Sequence, residues 1–290
     1  MNFFDPQPPL DPPQAETQSP TGEQAGHAGA DLPAETNVPG RVPHVLRWRD
    51  LLVLVVFYLL VGALFFQLAL AAASSFLGIT PEALQQTPTA YVAVVAVSQA
   101  LHSGAMLALL YAIVRSRTAA PFWTALGWRA FPAAAPRAAL AVRYMLGGAG
   151  LAIVTQAASY KLAPDFRVPM EELFRNRPSV LMMMALGILV APLLEETLFR
   201  GCLYPLIART WGIPAGIVLT GATFGLAHSL QLAGAWSQIA LLSTVGVIFT
   251  YIRARSGTVV ASYFVHLGYN SLLFVAFYFA TGGLRNFPGR

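Results

Sequence analysis

From Leu51 onward the chain alternates long apolar runs with short polar breaks, the runs lying at about 51–75, 91–114, 138–159, 180–209, 213–231, 235–252 and 258–280. They are apolar around their whole circumference rather than along one stripe, which predicts helices bathed in lipid, not helices laid on a soluble core. About 20 helical residues cross a hydrocarbon layer of about 30 Å. The pattern therefore predicts an all-α, polytopic transmembrane helical bundle of about seven spans, six to eight according to how the shorter runs are counted. One domain over residues 46–285 holds them all.

The first 45 residues break the pattern. Pro8, Pro9, Pro12 and Pro13 stand with Asp11, Glu16, Glu23 and Glu35 among Gln, Gly and Ala, and no apolar core interrupts them. This composition predicts a disordered Pro/Glu/Gln-rich tail and no secretory signal, so the first span acts as its own insertion signal. Between the second and third runs, residues 120–136 hold Phe122, Trp123, Leu126, Trp128, Arg129 and Phe131 but are too short and too proline-broken to cross. They read equally as an interfacial segment or as an amphipathic loop.

Composition agrees with a bilayer as solvent, since 56% hydrophobic and 11% charged residues leave too little polar surface for a soluble domain. The formal charge of +5 does not point to nucleic acid, because the arginines sit at the ends of apolar runs. Arg41, Arg47 and Arg49 precede the first run, and the next break, residues 78–90, has no Lys or Arg. Arg115, Arg117, Arg129, Arg137, Arg253 and Arg255 then fall on the side of the N-terminus. The expectation is an integral multi-pass protein of the plasma membrane with its N-terminus in the cytoplasm. Lys161, Arg167, Arg175 and Arg177 lie on the opposite side, partly offset by Asp165, Glu171 and Glu172. Cys202 is the single cysteine, so no disulfide framework exists within the chain; it reads as a small buried residue.

A census of ionisable groups narrows the function. After Glu82 the acids are Asp165, Glu171, Glu172, Glu195 and Glu196, and only the last two lie inside an apolar run. An acid within a span costs several kcal/mol unless it is paired or faces water, which makes Glu195 and Glu196 functional candidates. Glu196 and Arg200 are i and i+4 with the acid first, the favourable order for a pair, so Glu196 reads as structural as readily as catalytic. Glu195 is turned about 100° away on a helix and has no such partner; it is the better general base. His228 closes Phe224-Gly-Leu-Ala-His228, and His266 stands four residues before Asn270, so imidazole and carboxamide share a face. His102, beside Gln99 and Ser103 with no acid in its run, reads as a hydrogen bond to a neighbouring helix. At about 1.5 Å per residue, Glu195 and His228 lie roughly 22 Å from the inner ends of their runs and His266 about 14 Å, so the groups can share a level. Pro192 predicts a kink just before the glutamates. Gly212-x-x-x-Gly216 and Gly221-x-x-x-Gly225 predict close helix packing near His228.

Glu195-Glu196-x-x-x-Arg200, Phe224-x-x-x-His228 and His266-x-x-x-Asn270, in that order on three segments, resemble the signature of the CPBP family, the CAAX-protease and bacteriocin-processing (Abi) group. Ala125-Leu126-Gly127-Trp128-Arg129 is similar to the Leu-Gly stretch that often precedes that core, whereas Glu171-Glu172-Leu173-Phe174-Arg175 is a near miss of the first motif. The resemblance covers about 195–270, in a catalytic core of about 180–280. It implies an intramembrane endopeptidase acting on a peptide or protein substrate, lipidated or unlipidated, in or beside the bilayer; eukaryotic relatives remove three residues after a prenylated cysteine. It implies Glu195, helped by His228, as the base that activates water, with His266 and Asn270 stabilising the oxyanion. A carboxylate removed from bulk water binds protons more tightly, which suits that role.

No cofactor is expected under this mechanism. Because the family is often labelled metalloprotease, zinc held by Glu195, His228 and His266 is the competing arrangement, although no HExxH occurs. There is no G-x-S-x-G elbow and no aspartate within a span, so serine and aspartyl mechanisms fit poorly. A proton- or ion-coupled transporter would also bury acids, but it has no need of Asn270 near His266, and no inverted repeat is visible. A non-catalytic immunity or adaptor protein on the same scaffold is the remaining alternative.

Overall fold

The structure, a computed structural model, describes residues 45–132, 136–166, 173–285 and 287. The expected disordered tail lies outside the described residues except for Val45, as does the Glu171-Glu172 near miss. Nine helices and no strand occur among the described residues: α1 (Trp48–Leu77), α2 (Pro81–Gln85), α3 (Pro88–Arg115), α4 (Phe122–Ala125), α5 (Arg137–Leu162), α6 (Arg177–Trp211), α7 (Ile213–Ala227), α8 (Trp236–Ser256) and α9 (Val259–Ala280). Turn chemistry sets their starts. Thr80 accepts from the Ala83 amide ahead of Pro81, Pro88 opens α3, the Asn176 carbonyl oxygen accepts from the Ser179 amide, and Thr258 accepts from the Val260 amide.

Six helices, α1, α3, α5, α6, α8 and α9, are long and apolar enough to cross a membrane. The run at 213–231 is the exception to seven equal spans. Its helix, α7, has 15 residues, about 22 Å of rise against a hydrocarbon layer of about 30 Å. It stops because the His228 ring turns back onto the Phe224 carbonyl, 2.8 Å away, and Ala233 and Gly234, both at positive φ, bend the chain into α8. The polarity of the bundle is that of a membrane protein. Leu52, Leu59, Leu60 and Phe76 of α1 face outward, while Glu196 and Arg200 are fully enclosed.

Two antiparallel helix pairs frame the interior. Gly221 and Gly225 of α7 lie against Val247 and Ser243 of α8, as the small-residue spacing predicts, and a Cβ on Gly221 would fall 2.4 Å from the Val247 amide nitrogen. Gly216 packs on Ala208 of α6, but Gly212, at φ 87°, is the turn between α6 and α7 rather than a packing residue. The other pair is α5 with α9, where Gly148 meets the Val265 carbonyl and Gly268 meets that of Met145.

Helix α6 is the irregular element. Its α-helical hydrogen bonding widens to π over Leu186–Val190 and again over Glu196–Leu203. Each widening ends two residues before a proline, Pro192 and Pro205, whose ring would collide with the carbonyl four residues back and which has no N–H to give. The expected kink at Pro192 is thus absorbed as a π turn in a helix that continues to Trp211. Residues 122–131 form neither a surface helix nor a plain loop. After α4 the segment of Leu126, Gly127 and Trp128 docks between α6 and the start of α9: Leu126 is buried, the Val259 amide donates to the Gly127 carbonyl at 2.9 Å, and Arg129 and Thr258 exchange two hydrogen bonds.

The α5–α9 crossing yields a controlled test. A Cβ at Gly148 would lie 1.9 Å from the Val265 carbonyl oxygen, whereas one at the adjacent Gly147 meets nothing within 4 Å. Gly148→Ala should lower stability by about 1–3 kcal/mol, while Gly147→Ala should leave it unchanged or raise it by up to about 1 kcal/mol. Thermal unfolding of the two variants in detergent checks this, and equal shifts would contradict the crossing described.

Candidate active site

The two π turns flank Glu195, the second opening at Glu196 itself, and that irregularity decides where the side chains point. In the second π turn, Glu196 and Arg200 face each other across the helix, with Arg200 Nη1 donating to Glu196 Oε1 at 3.0 Å. Both side chains are fully buried. The guanidinium continues to α8, where Nη2 donates to the Gly246 carbonyl at 3.0 Å, and it lies over Phe224 and Phe249 at 4.5 and 5.3 Å from their centroids. Gly246 is open to it because α7 and α8 touch through glycine there: a Cβ on Gly246 would fall 2.7 Å from the Gly221 carbonyl oxygen.

His266 of α9 completes the buried cluster. Its Nδ1 lies 3.0 Å from Glu196 Oε1, so the ring proton sits on Nδ1 and is donated to the carboxylate. Its other nitrogen, Nε2, lies 3.7 Å from Glu195 Oε2. His228 repeats the arrangement from α7. Its Nδ1 donates to the Phe224 carbonyl, which can only accept, and its Nε2 lies 3.9 Å from Glu195 Oε1. Phe224 separates and braces the two imidazoles, with its ring 4.7 Å from His228 and 5.9 Å from His266.

The two glutamates therefore occupy different environments. Glu196 is sealed and spoken for by Arg200 and His266, while the Glu195 side chain keeps 24% exposure between two imidazole nitrogens that face it at 3.7 and 3.9 Å. Those separations exceed a direct hydrogen bond and match the span of groups that share a small polar molecule. Among the described residues no group of three or more His, Cys, Asp or Glu side chains is arranged to hold a metal ion, the Glu195, His228 and His266 set included.

Asn270 stands one turn beyond His266, but its amide is partly committed. Asn270 Nδ2 donates to the Gly187 carbonyl at 2.7 Å. That carbonyl is free for a physical reason: the Ala191 amide reaches back to Leu186 in the π turn, and the next amide along belongs to Pro192, which has none. Asn270 thus ties α9 to the first π turn and keeps one further N–H.

Several neighbours escaped the sequence. Trp128 Nε1 donates to Thr197 Oγ1 at 3.1 Å, so the docked 126–129 segment touches α6 beside Glu196; its only sequence signal is the Leu126-Gly127-Trp128 stretch. Phe249 and Gly246, which hold Arg200 from α8, have no distinguishing pattern. Asp50, the second buried acid beside Glu196 among the described residues, caps α1 by accepting from the Arg47 amide and pairs with Arg117 just after α3, far along the chain from the Glu195 cluster. Cys202 is buried and free. His102 meets Tyr58 of α1 through a tilted ring contact at 4.5 Å rather than a side-chain hydrogen bond, and stays apart from the cluster.

Breaking a buried ion pair from one side leaves an uncompensated charge, at about 3–5 kcal/mol. Arg200→Met should therefore be strongly destabilised, whereas Glu195→Ala, which loses no direct hydrogen bond, should stay within about 0.5 kcal/mol of wild type. Chemical or thermal unfolding in detergent reads the difference. Equal losses would deny the separation of roles.

Residues 177–272 match the family described as Rce1-like, type II CAAX prenyl endopeptidase, a span that begins with α6 and ends just past Asn270. No curated protein and no solved structure matches the chain.

Proposed function

We propose that this chain, which through residues 177–272 belongs to the Rce1-like type II CAAX prenyl endopeptidase family and is an integral multi-pass membrane protease, hydrolyses its substrate with water activated by Glu195. The observation that supports this reading is the convergence on Glu195 of two imidazole nitrogens whose partner nitrogens are already protonated and bonded elsewhere.

In this reading, water sits between Glu195 and His228, and Glu195 takes its proton as the oxygen attacks the scissile carbonyl. His228, held by the Phe224 carbonyl, accepts the water's second hydrogen at Nε2 to steady it, and the proton taken by Glu195 is relayed through that Nε2 to the leaving amine, which returns Glu195 to its ionised form. Carrying a second proton, His266 donates from Nε2 to the oxyanion, and the remaining Asn270 N–H lies on the same face to assist. Glu196 does not touch substrate. With Arg200 balancing its charge, it fixes the plane and the tautomer of His266, as a carboxylate orients a histidine in other hydrolases.

The substrate is a peptide or protein at the bilayer, lipidated if it carries the prenyl group the family name implies. The N-terminus is assigned to the cytoplasmic face of the plasma membrane by the arginines around α1 and between α3 and α5. Zinc is not required by this mechanism. Were zinc bound, the Glu195, His228 and His266 side chains would first have to shift from the arrangement described above to hold it, and it would supply Lewis-acid activation of water.

Detergent-purified wild type should cleave a C-terminally prenylated peptide, and Glu195→Ala should lose activity by about 10³-fold or more, in keeping with loss of a general base together with its positioning. Activity should survive exhaustive chelation. Loss on chelation with recovery on adding zinc would replace the glutamate-base mechanism with the metal one, and equal activity of Glu195→Ala would remove Glu195 from the chemistry.

A further inference from the structure

Arg253 of α8 is a second buried guanidinium, 5% exposed, and it lacks the partners that Arg200 has. Its Nε is enclosed without a hydrogen bond, and its two terminal nitrogens, which are not enclosed, bond to no acceptor among the described residues. No acid follows Glu196 in the sequence, and Glu196 is itself bonded to Arg200 and His266. The Tyr204 ring, centred 5.9 Å from Cζ, and the carbonyl end of α8, equivalent to roughly half a unit of negative charge, offset only part of a full cation. A buried charge left in that state is a standing cost to the fold.

The surroundings keep space for the guanidinium and gather more positive charge beside it. Gly127 of the docked 126–129 segment stands at φ 84°, and a Cβ there would fall 2.5 Å from Nη2. Two hydrogen bonds between Arg129 and Thr258 tie that segment to the turn after α8. They bring the exposed Arg129 to the helix end that also carries the exposed Arg255, and among the described residues none of the three arginines is paired with an acid. Depth decides which anion fits. Helix α8 has 21 residues, about 31 Å of rise against a hydrocarbon layer of about 30 Å, so Arg253 in its last turn lies at the level of the lipid phosphates. A phosphate presents paired oxygens, the arrangement that a guanidinium fork matches.

We propose that Arg253, backed by Gly127 and flanked by Arg129 and Arg255, is a phosphate-binding site filled by the headgroup of an acidic phospholipid at that face of the membrane. The bound phosphodiester supplies the negative charge that the chain itself omits. The site stands apart from the Glu195 cluster and does not depend on the protease reading.

The test is thermal unfolding of the full chain in non-ionic detergent, titrated with phosphatidylglycerol, with phosphatidylcholine and separately with inorganic phosphate. Phosphatidylglycerol should raise the wild-type midpoint by about 5 °C, and phosphatidylcholine should not. Arg253→Met keeps the length of the side chain and removes the charge. It should be at least as stable as wild type in detergent alone and should lose the rise. Arg253→Lys keeps the charge without the fork, and should need about tenfold more phosphatidylglycerol for the same rise. An Arg253-dependent rise with phosphatidylglycerol alone supports the lipid headgroup. An equal Arg253-dependent rise with inorganic phosphate would overturn the lipid as the source. The site itself would be overturned by no rise in wild type, by the same rise in wild type and Arg253→Met, or by an Arg253→Met that is less stable than wild type without added anion, since the guanidinium would then already be compensated. Equal half-saturation of wild type and Arg253→Lys would overturn the paired grip on phosphate.

Discussion

The buried pair between Glu196 and Arg200 is the constraint around which the catalytic half of the bundle is organised. Two fully enclosed charges are tolerable in a membrane protein only when each is matched, and here the matching partners come from three helices. Arg200 reaches across to the Gly246 carbonyl of α8 and rests on Phe224 of α7 and Phe249 of α8, while Glu196 takes the Nδ1 proton of His266 from α9. The pair therefore sets the distance between α6 and its neighbours, and through His266 it sets the imidazole that looks at Glu195. The Glu195 carboxylate itself is left without a direct hydrogen bond and partly exposed.

The backbone supports the same end. Pro192 and Pro205 impose two π turns on α6, one ending before Glu195 and one opening at Glu196, and the first releases the Gly187 carbonyl that Asn270 captures. Glycine contacts draw α7 onto α8 and α5 onto α9, so that imidazoles from two different helix pairs arrive at one carboxylate. The segment at 126–129 closes the arrangement by bonding the start of α9 and the Thr197 hydroxyl next to Glu196.

Much of this was legible because a bilayer makes charge conspicuous. With so few acids in the apolar runs, Glu195 and Glu196 stood out, and i,i+4 spacing sufficed to pair Glu196 with Arg200 and to separate it from Glu195. Rise per residue placed Glu195 and His228 at a common depth, and they lie 3.9 Å apart across the helices. What stayed hidden depends on tertiary contact. Run length alone could not show that α7 stops at Ala227, since the stop comes from the His228 ring turning to Phe224 and from Ala233 and Gly234. Nor could spacing show that Asn270 would spend an N–H on Gly187, because that carbonyl becomes available only through the π turn. The docking of 126–129 depends on Thr258 and Thr197, more than a hundred and about seventy residues away in sequence, and no local pattern announces it.

The central claim is that Glu195 acts on water directly and does not itself bond to the substrate. Repeated turnover in heavy-oxygen water, with mass analysis of both the peptide product and the enzyme fragment containing Glu195, tests it most directly. Heavy oxygen should appear in the new product carboxylate and not in Glu195. Label accumulating in the Glu195 carboxylate would mean that it forms a covalent intermediate, and would contradict the claim.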